Sequence, residues 1–156
     1  MPTTALQLAV TTGTSTKTLI QVKPFNILKV VAWGISFDGA AGAAGVQCEL
    51  LTTGTVFATV TAAVDNDVLK WGGSDQAAAS VAGLTLGTSA TGYTSTAEGS
   101  VTATKVFDSQ FVQPTGQYAW EFSLGREPEV IIGDSLRIRV KAAAAVNAVA
   151  WMLIEI

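Results

Sequence analysis

Histidine is absent from the 156 residues and cysteine occurs once. Without imidazole, every catalytic triad and metal site that depends on histidine is excluded. The lone thiol, Cys48, rules out an intrachain disulfide framework and has no histidine to activate it. It sits between Val46 and Leu50 on one alternating face, where it reads as a small buried apolar residue. Charge is also scarce. Nine Lys and Arg stand against twelve Asp and Glu, only 13% of residues are charged, and the net charge is −3. With a pI near 4.8, the chain has no electrostatic footprint for nucleic acid or an anionic membrane. Long hydrophobic runs are missing too. The longest apolar tract, near the C-terminus, is too short and too rich in Ala for a membrane span. No basic segment leads into an apolar one at the N-terminus, so no signal peptide is expected and synthesis in a cytoplasm is.

The length fits one domain that can fold without disulfides or metals. Hydrophobic residues make up 49% of it, so the surface is coated with Thr, Ser, Ala and Gly. Either this is an exported β-protein with a bland polar coat, or neighbouring subunits cover much of it. Periodicity points to strands. In Phe25 to Asp38 (FNILKVVAWGISFD), Phe25, Ile27, Val31, Trp33, Ile35 and Phe37 share one face at period two, with a bend or bulge expected near Gly34. The other strands are expected to cover this one. A first edge strand is expected within residues 1–15, where Leu6, Leu8 and Val10 alternate, and a short one over Lys17 to Lys23. Val46 to Leu51 alternates, with Val46, Cys48 and Leu50 inward. Thr55 to Val64 fits strand or short helix.

Residues 65–100 hold six of the glycines among Ser, Thr and Ala, and periodicity fails there. They read as one long Gly/Thr-rich loop, with a helical turn at Gln76 to Ala82, and as the partner-facing part of the protein. Alternation returns from Val101. Gln117 to Leu124 reads as a strand with Tyr118, Trp120, Phe122 and Leu124 inward. Leu136, Ile138 and Val140 oppose Arg137, Arg139 and Lys141. The last strand, Val146 to Ile156, is apolar on both faces, so it lies centrally or packs on another subunit. Eight to ten strands and no long helix predict a single all-β domain, an antiparallel sandwich of jelly-roll type.

Little in this pattern carries chemistry. Glu121 and Glu127 are the only carboxylates worth weighing as a glycosidase pair, but Glu121 alternates outward and Glu127 lies in a charge-mixed loop. Asp65-Asn66-Asp67 reads as a turn whose side chains bond the backbone, rather than as a calcium site. The glycine clusters at 42–45 and 72–73 lack the Lys-Ser/Thr that completes a phosphate loop. Arg137, Arg139 and Lys141 form a basic stripe that is solvated or paired with Glu49 and Glu121. Arg126, flanked by Glu127 and Glu129, suits either a local ion pair or a contact between subunits. Trp33 and Trp120 read as core. Trp71, beside two glycines, and Trp151, on the second face of the last strand, suit a sugar or a protein interface.

The runs LKVVAWGISFDGAA, SLGREPEV and SLRIRVKAAAAVN, with the aromatic last strand, resemble the small jelly-roll capsid decoration, or cement, proteins of tailed bacteriophages. The resemblance covers Leu28 to Ala41 and the chain from about Gln117; residues 65–100 have no counterpart. It implies a homotrimer on the outside of an icosahedral head, at three-fold or quasi-three-fold positions, bound to the major capsid protein. It also implies no cofactor and no enzymatic activity. On this reading Arg126, Glu127, Val149, Trp151 and Leu153 form the subunit interface, while Trp71 and Tyr93 touch the capsid or a ligand. The rival expectations are a carbohydrate-binding β-sandwich, resting on Trp71, Tyr93 and the Gly-rich loop, and another virion component such as a head-fibre or tail protein.

Overall fold

The computed structural model describes residues 3–71 and 83–156. The strands in chain order are β1 (Thr3–Thr11), β2 (Lys17–Val22), β3 (Leu28–Asp38), β4 (Val46–Thr52), β5 (Thr59–Ala62) and β6 (Val68–Trp71). They continue as β7 (Gly92–Ala97), β8 (Lys105–Val112), β9 (Gln117–Glu121), β10 (Glu129–Val130), β11 (Leu136–Lys141) and β12 (Asn147–Glu155). All pairings are antiparallel and make two six-stranded sheets. The first sheet runs β10-β3-β12-β1-β6, with β9 also paired to β3; the second runs β5-β7-β2-β11-β4-β8. Their inner faces pack together as an all-β sandwich. The chain crosses between sheets at most connections, as jelly rolls do.

β3 is the spine of the first sheet, but its register departs from simple alternation. Its pairing with β12 shifts between Ala32 and Val30, so Val31 is the extra residue of a β-bulge. A bulge moves the following side chains to the other face. Leu28 and Val30 are therefore buried before it, and Trp33, Ile35 and Phe37 after it. Phe25 and Ile27, expected on the core face, precede the strand and are 45% and 55% exposed. The bend or bulge expected near Gly34 takes the form of this bulge, at Val31, three residues before the glycine. Gly34 serves a different purpose: a methyl group at its Cα would lie 2.5 Å from ring atoms of Trp151, so the missing side chain makes room for that indole.

β12 is central, between β3 and β1, and carries Ala148, Ala150, Met152 and Ile154 into the core. β1 is not an edge strand, because β6 pairs along its far side. The segment expected as one long loop is ordered at both ends. Asp65–Asp67 forms a 3-10 turn in which the Asp67 carboxylate accepts the Val64 N–H at 2.9 Å. β6 follows, and Leu84 bridges Pro24 before β7. Periodicity missed β7 because hydroxyls dock it: Ser95 Oγ accepts the Thr18 N–H at 3.2 Å, and Thr91 Oγ1 accepts that of Lys23 at 2.9 Å. The helical turn expected at Gln76 to Ala82 lies outside the described residues.

Facing the first sheet, β2 contributes Ile20 and Val22, β11 contributes Leu136, Ile138 and Val140, and β4 contributes Cys48 and Leu50, all buried. Each such apolar side chain contributes about 1.5–3 kcal/mol on leaving water. Burial, with the charge of Glu49 second, pushes the Cys48 thiol up to about 12, so it is inert as a nucleophile in the folded chain.

Gly34→Ala is expected to lower stability by about 1–3 kcal/mol, since the indole above it has to move. The check is urea unfolding followed by tryptophan emission, which should also report a more solvated Trp151.

Candidate functional site

The surface expected to meet another subunit is the outer face of the first sheet. Register places its side chains in rows. One row runs Leu69–Ala5–Leu153–Ala32–Glu121, the next runs Gln7–Trp151–Gly34–Ala119, and a third holds Val149, Ser36 and Gln117. Val149, Trp151 and Leu153 thus stand together on β12, each partly exposed. Glu121, at the β9 edge, is the only ionisable group in these rows. The flanking rows carry Asp38 at one end and Glu155, Lys29 and Glu129 at the other, so the middle of the face is an apolar strip with a charged rim, the pattern of an interface core. Trp151 lies flat on Gly34, which makes it a rigid anchor in the middle of the face.

Arg126 and Glu127 sit elsewhere on the same sheet, in the turn that joins β9 to β10 along the edge beside β3. The turn is closed by the Arg126 N–H donating to Ser123 O at 2.9 Å. Arg126 is exposed and Glu127 partly so. The nearby ion pair joins Lys29 to Glu129 at 3.7 Å, not Arg126 to its neighbours. Trp71 ends β6 in register with Thr3, at the opposite edge of this sheet; its side chain lies outside the described residues. Tyr93 lies in the other sheet, in β7, partly buried and packed against the core. The two aromatics expected to share a ligand therefore belong to different sheets.

The basic stripe resolves into three different residues. Arg137 is fully buried although it points away from the sheet-to-sheet core. Its Nη2 donates to Val56 O at 2.7 Å, and its Nη1 donates to Glu98 O at 3.2 Å and Thr18 Oγ1 at 3.4 Å. It pins two loops over the second sheet. Burial lowers its proton affinity, the charge of Glu98 offsets part of that, and Arg139 adds to it. Arg139 pairs with Glu49 through Nε and Nη2 at 3.1 and 2.9 Å. Only Lys141 is exposed. Glu121 takes no part, because β9 belongs to the other sheet.

Sequence periodicity also misjudges β9. Trp120 is 51% exposed and Leu124 is 96% exposed. The reason is position: β9 is an edge strand, and the opposing sheet ends at β8. Asp108 of β8 reaches across only as far as Trp33 and Tyr118. Its Oδ2 accepts Trp33 Nε1–H at 3.1 Å and the Tyr118 hydroxyl at 2.7 Å. Trp33 and Tyr118 also stack at 5.5 Å between ring centroids. Beyond this tie the inner face of β9 is left uncovered at Trp120, and Leu124, in the turn after β9, is exposed as well. A further apolar cleft of about 230 Å³ lies at one end, lined by Gly39, Ala40, Ala43, Ala44, Pro114 and Val146 among others. Among the described residues, no group of three or more His, Cys, Asp or Glu is placed to hold a metal.

Comparison of the chain with protein-family models, with curated proteins and with solved structures finds no match.

Burial first, and then the bond to Asp108, push the Tyr118 phenol from 10.0 up to about 12. A raised folded-state value means that its stabilising contribution is complete below pH 10 and is lost as pH rises toward 12. Alkaline unfolding of the wild type is therefore expected to steepen in that window. Tyr118→Phe is expected to remove the steepening, and a urea series across pH 9 to 12 measures both. Arg137→Met, which strands Glu98 O and leaves Val56 O only the Thr53 hydroxyl, should cost about 2–4 kcal/mol by the same assay at neutral pH.

Proposed function

We propose that this chain is a structural protein of a virion: a decoration protein that seats as a homotrimer on the outside of a tailed-phage head and reinforces the shell. The observation that carries the reading is the middle of the outer face of the first sheet, where Val149, Trp151 and Leu153 form an apolar strip centred on a flat-lying Trp151, with charged groups confined to its margins. Such a face favours burial against protein. The sequence resemblance to capsid decoration proteins points the same way and names the partners, other copies of this chain and the major capsid protein.

On this reading Val149, Trp151 and Leu153 pack between subunits. The loops at the ends of the sandwich grip the shell. Three copies of a modest contact then hold the trimer far more tightly than one copy could, because the second and third contacts form within an already bound particle. No cofactor and no covalent chemistry are involved. The protein is made in the host cytoplasm and ends on the capsid exterior.

Light scattering coupled to size exclusion tests the assembly, and addition of the purified protein to undecorated heads tests the destination. The expected particle has three times the chain mass of 16.1 kDa. Trp151→Glu places a charge in the middle of the face; it should keep the β spectrum, lose the trimer and fail to coat heads. A variant that still forms trimers and still coats heads overturns the interface assignment. A wild-type protein that never binds heads overturns the function.

A further inference from the structure

We infer that β9 is a pairing edge for a second copy of this chain, the two β9 strands lying antiparallel about a two-fold axis through Ala119. Sheet edges are normally guarded against such pairing by short length, bulges, charge or proline. The other described edges carry these guards. β5 has four residues and two register shifts against β7. β8 is bulged opposite Leu50 and Leu51 and contains Lys105 and Asp108. β6 has four residues including Lys70. β10 has two, follows Pro128 and bears the Lys29–Glu129 ion pair. β9 runs five residues in unbroken register with β3, and its single charge is the terminal Glu121.

The backbone is oriented for the contact. Gly116 O accepts the Phe37 N–H and Phe122 N donates to Val31 O. By the alternation of an antiparallel ladder, residues 116, 118, 120 and 122 bond β3, while Gln117, Ala119 and Glu121 turn their N–H and C=O groups outward. Pairing centred on Ala119 joins these outward groups in about six backbone hydrogen bonds. Across the same axis the Gln117 amide meets the Glu121 carboxylate of the second copy, a donor facing an acceptor rather than charge facing like charge. Trp120 meets Tyr118 of the second copy, which gives the half-exposed indole an aromatic partner. A two-fold contact of this kind is self-complementary and closes on itself.

An independent feature falls into the same register. Leu124 lies in the turn after β9 and Pro114 in the turn before it, so the axis brings each Leu124 turn to the end of the sandwich where Pro114 of the other copy stands. Leu124 is 96% exposed on a turn held by Gly125 at φ +82°. Pro114 lines the apolar cleft of about 230 Å³. The most exposed apolar side chain of the described chain thus arrives at an unfilled apolar cleft.

The test is disulfide trapping on the purified full chain. Ala119→Cys places two thiols opposite each other across the axis, within the Cα separation that a disulfide tolerates. Cys48 is fully buried and does not compete. Under mild oxidation A119C is expected to give a covalent dimer on a non-reducing gel, at least tenfold more than Gln117→Cys, whose thiol faces Glu121 instead. Equal crosslinking of the two variants overturns the register. Crosslinking of neither overturns the self-pairing and leaves the edge to a strand of a different chain. Ala119→Pro is the second variant: its lost N–H points away from β3, so the fold tolerates it, and the double-trimer species that edge pairing adds at high protein concentration should disappear from light scattering and leave the trimer. An unchanged mass overturns the proposal. Trapping in a W151E background separates this contact from the sheet-face interface, since W151E should leave the covalent dimer intact.

Discussion

The pairing of β3 with β12 is the constraint on which the rest of the molecule depends. The two strands run together for almost their whole length, and the bulge at Val31 lets β3 keep one buried face although its side-chain alternation breaks. Before the bulge Leu28 and Val30 enter the core; after it Trp33, Ile35 and Phe37 do. Without that extra residue one half of the strand would present its apolar side chains to water. The same ladder sets Gly34 beneath Trp151, so the central contact of the core-forming sheet also shapes its outer surface.

Buried polar groups then organise the loops around this frame. Arg137, the Gln21 amide and the Thr53–Ser135 hydroxyl pair all lie on or beside the second sheet and are buried. Gln21 alone holds Ala58 at both its N–H and its C=O, each at 2.9 Å. A hydrogen bond to a charged group contributes about 1.5–3 kcal/mol, and an unmade one costs a comparable amount. These groups therefore fix where the covering segments lie. Segments rich in Gly, Ser and Thr can be ordered in this way without an apolar pattern of their own. Asp108 does the equivalent at the open side of the sandwich, where it ties β8 to β3 and β9.

What is left outside this frame is a surface with little charge and two unguarded regions, the face around Trp151 and the edge at β9. The first accommodates a broad packed contact centred on Val149, Trp151 and Leu153 and the second a strand-to-strand one, and they meet along Gln117, Ala119 and Glu121. On the proposed reading as a shell protein, both kinds are of use. Face packing makes a compact unit, and edge pairing links neighbouring units without new loops. The scarcity of charged residues, odd for a free monomer, is ordinary for a chain whose exterior is largely shared with other copies.

Strand content, the central place of the last strand, the burial of Cys48 and Trp33, and the absence of histidine chemistry were legible in the chain itself. Period-two alternation and residue type report directly on backbone form and on which faces seek the core. The grouping of Val149, Trp151 and Leu153 followed from the same periodicity. The exposure of Trp120 and Leu124 was not legible, because alternation says that a strand has an apolar face but not whether another sheet lies over it. An irregularity in β3 near Gly34 was legible, but its place at Val31 was not, because the partner strand decides it. The burial of Arg137 was hidden too, since loops distant in sequence supply its acceptors. Local physics decided the elements; only the tertiary structure decided which of their faces and edges were left uncovered.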